Sequence, residues 1–203
     1  MRIELFPSLA EVFSLPSSLD LDLSRYEAHK REDQDVSSCQ LHLSAPEFFA
    51  SWAPYLREYI SNVGYREADW DLQLVKSWWV DMGMSKKINF IDTHNHVDVH
   101  FTSVYYHTID DTEPGLLFKR PADVNNLNGA LESEGNDSRY SSNFMKFSPK
   151  QGDLLVFPSN LFHFTEAIES SNRRSVVADF ILTHREVKGR TAGLPPIWTW
   201  QTL

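Results

Sequence analysis

The stretch Thr93–His100, T-H-N-H-V-D-V-H, sets His94, His96, Asp98 and His100 at alternate positions. Ile88, Phe90 and Ile91 lead into it, and Phe101-Thr102-Ser103-Val104-Tyr105-Tyr106 follows. Side chains alternate across an extended strand, so all four polar groups would share one face. Such a row is costly to bury with nothing bound to it. A divalent metal is the partner whose chemistry matches, because it takes neutral imidazole and ionised carboxylate. A single H-x-D carries little weight; four such groups in register carry more.

Strand patterns dominate on both sides of this stretch. Leu72 to Met82 (L-Q-L-V-K-S-W-W-V-D-M) is rich in Val and Trp, and Lys86 to Thr93 runs into the histidines. Phe101–His107 and Gly115–Phe118 predict further strands. Phe144 to Ser159 predicts strand, tight turn at Gln151-Gly152, and strand. Asn160–Ile168, which contains His163, and Arg174–Thr183 complete the set. Between them, 121–143 is rich in Asn, Ser, Gly and Asp; a connection of that length suggests a lid or binding loop.

The N-terminal third reads differently. A short strand signal, I-E-L-F-P, opens it, and 20–38 is polar and charged. From Ser44 the pattern is helical, with Ser44 placed to cap, Pro46 suited to a first turn, Pro54 expected to divide the run into two short helices, and Gly64 a stop. Seven or eight short strands after a helical beginning predict a mostly-β antiparallel sandwich or jelly roll. We expect one domain over 1–203: a mainly helical part at 1–71, a β core at 72–185, and a tail at 186–203.

Composition narrows the function classes. The chain has 203 residues, 13% of them aromatic, which suits a well-filled core. Its 19 basic and 28 acidic side chains give a net charge of −9, which argues against a nucleic-acid partner. The lone cysteine, Cys39, excludes an internal disulfide framework and a cysteine zinc site. No run approaches the ~20 apolar residues of a membrane span and no signal-peptide core is evident, so a soluble cytoplasmic protein is expected. Nothing in the sequence speaks to oligomeric state.

Two features of the second half join the histidine stretch. His163 lies between Phe162 and Phe164; alone, such a residue is more often a core histidine than a ligand. Arg173 and Ser175 share one strand face. A guanidinium turned into a barrel needs an anion and binds a carboxylate with both arms. The interior would then hold a metal and, deeper in, a carboxylate receptor, an arrangement suited to a small dicarboxylate.

Taken together these motifs resemble the Fe(II)/2-oxoglutarate-dependent oxygenases, whose pattern is H-x-D/E, then His, then R-x-S. The sequence is most similar to a group of phage and bacterial oxygenases with an I-x-L-F-P opening, S-W before the metal strand, H-x-H beside S-G-V-Y-Y, and F-P-S-x-L-x-H before R-x-S. Here these are Ile3 to Pro7, Ser77-Trp78, His94-Asn95-His96, Thr102 to Tyr106, Phe157 to His163, and Arg173 to Ser175, with Ser103 where the group has Gly. The resemblance implies a double-stranded β-helix, a cupin-like jelly roll with N-terminal helices packed on it. It implies Fe(II) and 2-oxoglutarate as cofactors, with oxidation of a C–H bond and release of succinate and CO2. His96 and His163 would be iron ligands, and the third ligand is Asp98 under H-x-D or His94 under H-x-H. Arg173 and Ser175 would hold the distal carboxylate of 2-oxoglutarate, with a phenol from Tyr106 or Tyr105. The substrate, a small molecule or a peptide, stays open.

Two other readings compete. Phe90 to Asp98, F-I-D-T-H-N-H-V-D, also looks like the first metal strand of the amidohydrolases, but their barrel needs ~250 residues and alternating strands and helices. A cupin-like binding module for a small acid would use the same cavity without catalysis.

Overall fold

Runs of Val, Leu, Trp and Tyr with period two form strands here, and the strands sort their side chains onto two faces. The computed structural model describes residues 8–16, 21–28, 40–83, 88–109, 115–120, 144–168 and 173–185. Among them are nine strands: β1 (Glu11–Ser14), β2 (Trp70–Met82), β3 (Ile91–His94), β4 (Phe101–Thr108), β5 (Leu116–Lys119), β6 (Phe144–Phe147), β7 (Asp153–Pro158), β8 (His163–Thr165) and β9 (Arg173–His184). They form two antiparallel sheets, ordered β1-β7-β4-β9-β2 and β3-β8-β5-β6. This is the expected mostly-β jelly roll with helices at its N-terminal side. The I-E-L-F-P segment, loop 121–143 and tail 186–203 lie outside the described residues.

The helices are α1 (Leu41–Ser44), α2 (Pro46–Ala50) and α3 (Ala53–Asn62). The expected division into short helices is present, and its details differ. Ala45, not Ser44, precedes α2, and Ser44 ends α1. Pro54 sits in the first turn of α3, where its missing N–H costs nothing. Gly64 stops α3 at φ 101°, with Gly64 N–H donating to Ser61 O and Tyr65 N–H to Ile60 O, a Schellman closure.

Trp52, Leu56, Tyr59 and Ile60 pack with Phe101, Tyr105, Val176, Ala178 and Phe180 on one face of the five-stranded sheet. The opposite face, carrying Val80, Val104, Tyr106, Leu155, Phe157 and Val177, closes against the second sheet. Within the second sheet, the start of β5 lies tight against the end of its neighbour β6. A Cβ on Gly115 would lie 1.8 Å from Phe147 O, so glycine is required there.

One irregularity decides which face several β2 residues occupy. The β2–β9 register slips between Leu74 and Lys76. Before it, Leu72 and Leu74 pack toward the helices; after it, Lys76, Trp78, Val80 and Met82 line the space between the sheets. The extra residue of a bulge reverses the alternation.

Candidate metal and carboxylate site

The His-rich stretch is not one continuous strand. β3 ends at His94, and the chain turns through 95–100 before β4, with Asp98 at φ 63°. Main-chain bonds pin this turn: His96 N–H donates to Ser159 O at 2.9 Å, and Ser159 N–H donates to His100 O at 3.2 Å. The expectation that His94, His96, Asp98 and His100 share one strand face is therefore corrected. A single left-handed residue breaks the alternation on which it relied. Asp98 is exposed. His100 is used structurally, its Nδ1 accepting the Leu182 N–H at 2.8 Å.

Three histidines do converge. His94 and His163 are cross-strand partners on β3 and β8, and His96 joins them from the turn. One ligand atom from each lies within 4.8 Å of the others; among the described residues this is the cluster able to hold a metal. Each ring has its Nδ1 engaged. His94 Nδ1 meets Asp92 O at 2.8 Å and His163 Nδ1 meets Leu161 O at 2.8 Å. A carbonyl only accepts, so those Nδ1 atoms carry protons and each Nε2 keeps a lone pair. His96 Nδ1 instead meets Asp179 Oδ1 at 2.6 Å. Trp78 stacks on the His96 ring, centroids 5.6 Å apart at 21°. Burial, reinforced by the neighbouring imidazoles, lowers the His94 pKa to about 4 and the His163 pKa to about 3. Both are therefore neutral at physiological pH, the state a metal requires.

Arg173 and Ser175 lie further along the same face of β9 and line the same cavity. Arg173 is 2% exposed, its Nε 3.5 Å from Ser175 Oγ and its guanidinium carbon 5.0 Å from the centre of the Tyr106 ring. Of the two tyrosines, Tyr106 faces this pocket end, while Tyr105 packs between Phe48 and Trp52 on the helix side. Burial pushes the Tyr106 phenol up against the opposing pull of Arg173. Its hydroxyl is buried, within reach of the Arg173 guanidinium but without a well-formed hydrogen bond. Such a group is expensive to leave unsatisfied.

The cavity holds about 580 Å³, within the range of small-molecule sites. Val80, Met82, Ile88, Val104 and Leu116 make most of it apolar. Lys76 and Arg173 mark its two ends along the β2–β9 ladder, facing Asp179 and Met82 respectively in register. The residues fit a metal and an anionic cosubstrate. Three imidazoles bring one ring nitrogen each within 4.8 Å of the others, and the Arg173 guanidinium and Ser175 hydroxyl line the same cavity, with the Tyr106 ring against the guanidinium.

The chain's middle, residues 76–179, matches the model of the family described as "Putative 2OG-Fe(II) oxygenase". The chain belongs to that family. The family is one of oxygenases whose cofactors are Fe(II) and 2-oxoglutarate. No curated protein matches its sequence. Among solved structures, a prolyl-4-hydroxylase of Pseudomonas putida shares the fold, with 15% identity over 88% of each chain and a TM-score of 0.50. An oxidoreductase of the 2OG-Fe(II) oxygenase family from Burkholderia pseudomallei is 16% identical over 62% of this chain, with a TM-score of 0.44. The oxygenase spans 50% of that chain's length. The viral collagen prolyl hydroxylase of Paramecium Bursaria Chlorella virus-1 is 9% identical, covering 89% of this chain and 95% of its own, with a TM-score of 0.43.

Asp179 and Thr102 escaped the sequence reading. Asp179 had a readable signal, a lone carboxylate inside the apolar run V-V-A-D-F-I with the parity of Arg173 and Ser175. Thr102 gave none. Among the described residues, no helix of the oxygenase is long and apolar enough to cross a membrane.

Proposed function

We propose that the oxygenase hydroxylates a C–H bond of a small molecule or an exposed peptide side chain, holding Fe(II) on His94, His96 and His163. In this reading Arg173, Ser175 and Tyr106 hold the far carboxylate of 2-oxoglutarate. Residues 1–203 act as one unit, with the 72–185 core carrying every ligand. The observation that carries it is the convergence of three imidazoles in one cavity with a buried guanidinium that sits over the Tyr106 ring.

Bound Fe(II) and 2-oxoglutarate supply O2-dependent oxidation of an unactivated C–H bond, with succinate and CO2 as co-products. The chain's residues supply position and exclusion of water. Neutral His94 and His163 present lone pairs without first losing a proton. Arg173 offers a planar fork to a carboxylate, an interaction strengthened by the apolar surroundings. Ser175 and Tyr106 add hydroxyl donors, and the cosubstrate would satisfy the Tyr106 hydroxyl. Val80, Val104 and Val177 keep that end dry. Asp98, exposed in the turn, is left without a metal role, and His94 takes the third position.

Thermal unfolding under anaerobic Mn(II) with and without 2-oxoglutarate tests this. A ligand at 100 times its dissociation constant adds about 2.7 kcal/mol, or roughly 5–10 °C at this size. We expect His163→Ala to lose the metal shift, and Arg173→Ala to keep it while losing the 2-oxoglutarate shift. No shift with any divalent metal or 2-oxo acid in folded wild-type protein would overturn the reading. Metal and acid binding without succinate formation across candidate substrates would favour the non-catalytic binding module.

A further inference from the structure

We propose that Asp179 is the charge partner of the metal centre, acting through His96 as a positioning residue. The inference rests on reading His94, His96 and His163 as the ligands. Three neutral imidazoles bring no charge to a divalent cation. Two of them rest on main-chain carbonyls, which are uncharged. The third, His96, rests on a carboxylate that is 1% exposed.

The strand pairing explains why the carboxylate sits there. Asp179 lies opposite Thr102 on β4 and opposite Lys76 on β2. Thr102 Oγ1 donates to Asp179 Oδ1 at 2.7 Å, the same oxygen that meets His96 Nδ1. Among the described residues, no Lys or Arg forms an ion pair with Asp179; its one ion-pair contact is His96. Lys76, opposite in register and lining the same cavity, makes no ion pair with it within 4.0 Å. A carboxylate buried this deeply is costly to desolvate unless a cation compensates it. The histidine cluster provides the place for that cation, one imidazole away.

The arrangement has two consequences. A proton held on His96 Nδ1 leaves Nε2 as the ligand atom, and the carboxylate raises that atom's donor strength. The Trp78 stack fixes the ring plane, so Asp179 and Trp78 together set the direction in which Nε2 points. A purely structural acceptor would not need charge; an asparagine or a carbonyl would serve, as it does for the other two histidines.

The test uses Co(II) alone, anaerobically, with affinity from calorimetry and geometry from the visible d–d bands. Asp179→Asn keeps an acceptor for His96 and removes only the charge. We expect Co(II) affinity to fall 10–100-fold and the bands to shift, with Asp179→Glu restoring part of the affinity. If Asp179→Asn binds Co(II) within twofold of wild type with unchanged bands, the inference fails. His163→Ala separates this from failure of the ligand reading: if it too binds Co(II) like wild type, the ligands are wrong. A measurement on wild type guards against a variant that does not fold. In Zn(II)-loaded protein, ¹⁵N NMR should show His96 protonated at Nδ1 and metal-shifted at Nε2. The reverse pattern would overturn the inference.

Discussion

Residues 179 and 180 are neighbours on β9 and belong to different parts of the molecule. Phe180 stacks on Phe101 beneath the helices, centroids 5.2 Å apart and planes at 9°. Asp179 faces the opposite way, into the cavity, and bonds His96. The pattern holds along the strand: Val176, Ala178 and Phe180 pack on the helix side, while Arg173, Ser175, Val177 and Asp179 line the cavity. One face of a sheet supplies stability through apolar burial. The other gives up part of that burial to hold Arg173 and Asp179, charges that need partners inside the fold.

This contrast can be broken first on the helix side. Phe180→Ala should cost about 3–5 kcal/mol, lowering Tm by roughly 6–20 °C. Co(II) affinity of the folded fraction should stay at the wild-type value, as calorimetry below the transition would show. A large loss of metal affinity there would mean the two faces are not independent. The two adjacent tyrosines sharpen the comparison at smaller scale. Tyr106→Phe should weaken 2-oxoglutarate binding to Mn(II)-loaded protein by roughly 2–12-fold, the worth of about one hydrogen bond. It should leave ligand-free stability equal or higher, since it removes an unmet buried hydroxyl. Tyr105→Phe, on the other face, should leave 2-oxoglutarate affinity unchanged. The smallest effect is expected at the turn. Asp98→Gly should keep Mn(II) affinity within twofold of wild type, because glycine accepts φ 63° and no ligand is lost. A tenfold drop by calorimetry would return Asp98 to the metal.

Much of the fold was legible because strand period is local. The Val- and Trp-rich run at 72–82, the Gln151-Gly152 turn and the last strand were readable from alternation and turn chemistry, and they stand within a residue or two. Asn160–Ile168 was read as one strand, whereas only His163–Thr165 is; the turn at 159–161 shortens it. The separation of Tyr105 from Tyr106 followed from period two, but not which of them faced the cavity. The bulge after Leu74 was invisible, since nothing in L-Q-L-V-K announces a slipped register.

The sequence by itself determined that this chain builds a mostly-β jelly roll, that histidines at 94, 96 and 163 are available to a metal, and that Arg173 and Ser175 point the same way. Those facts depend on residue chemistry and on spacings of two, which any extended strand translates into one face. Only the tertiary structure decided that His94 joins the cluster while Asp98 turns away. It also decided that Tyr106 rather than Tyr105 packs against Arg173 on the cavity side of the sheet, and that a carboxylate 83 residues from His96 stands behind it. The reason is physical: where a strand ends and which strand lies beside it are set by pairing across the whole sheet, and no local pattern carries that information.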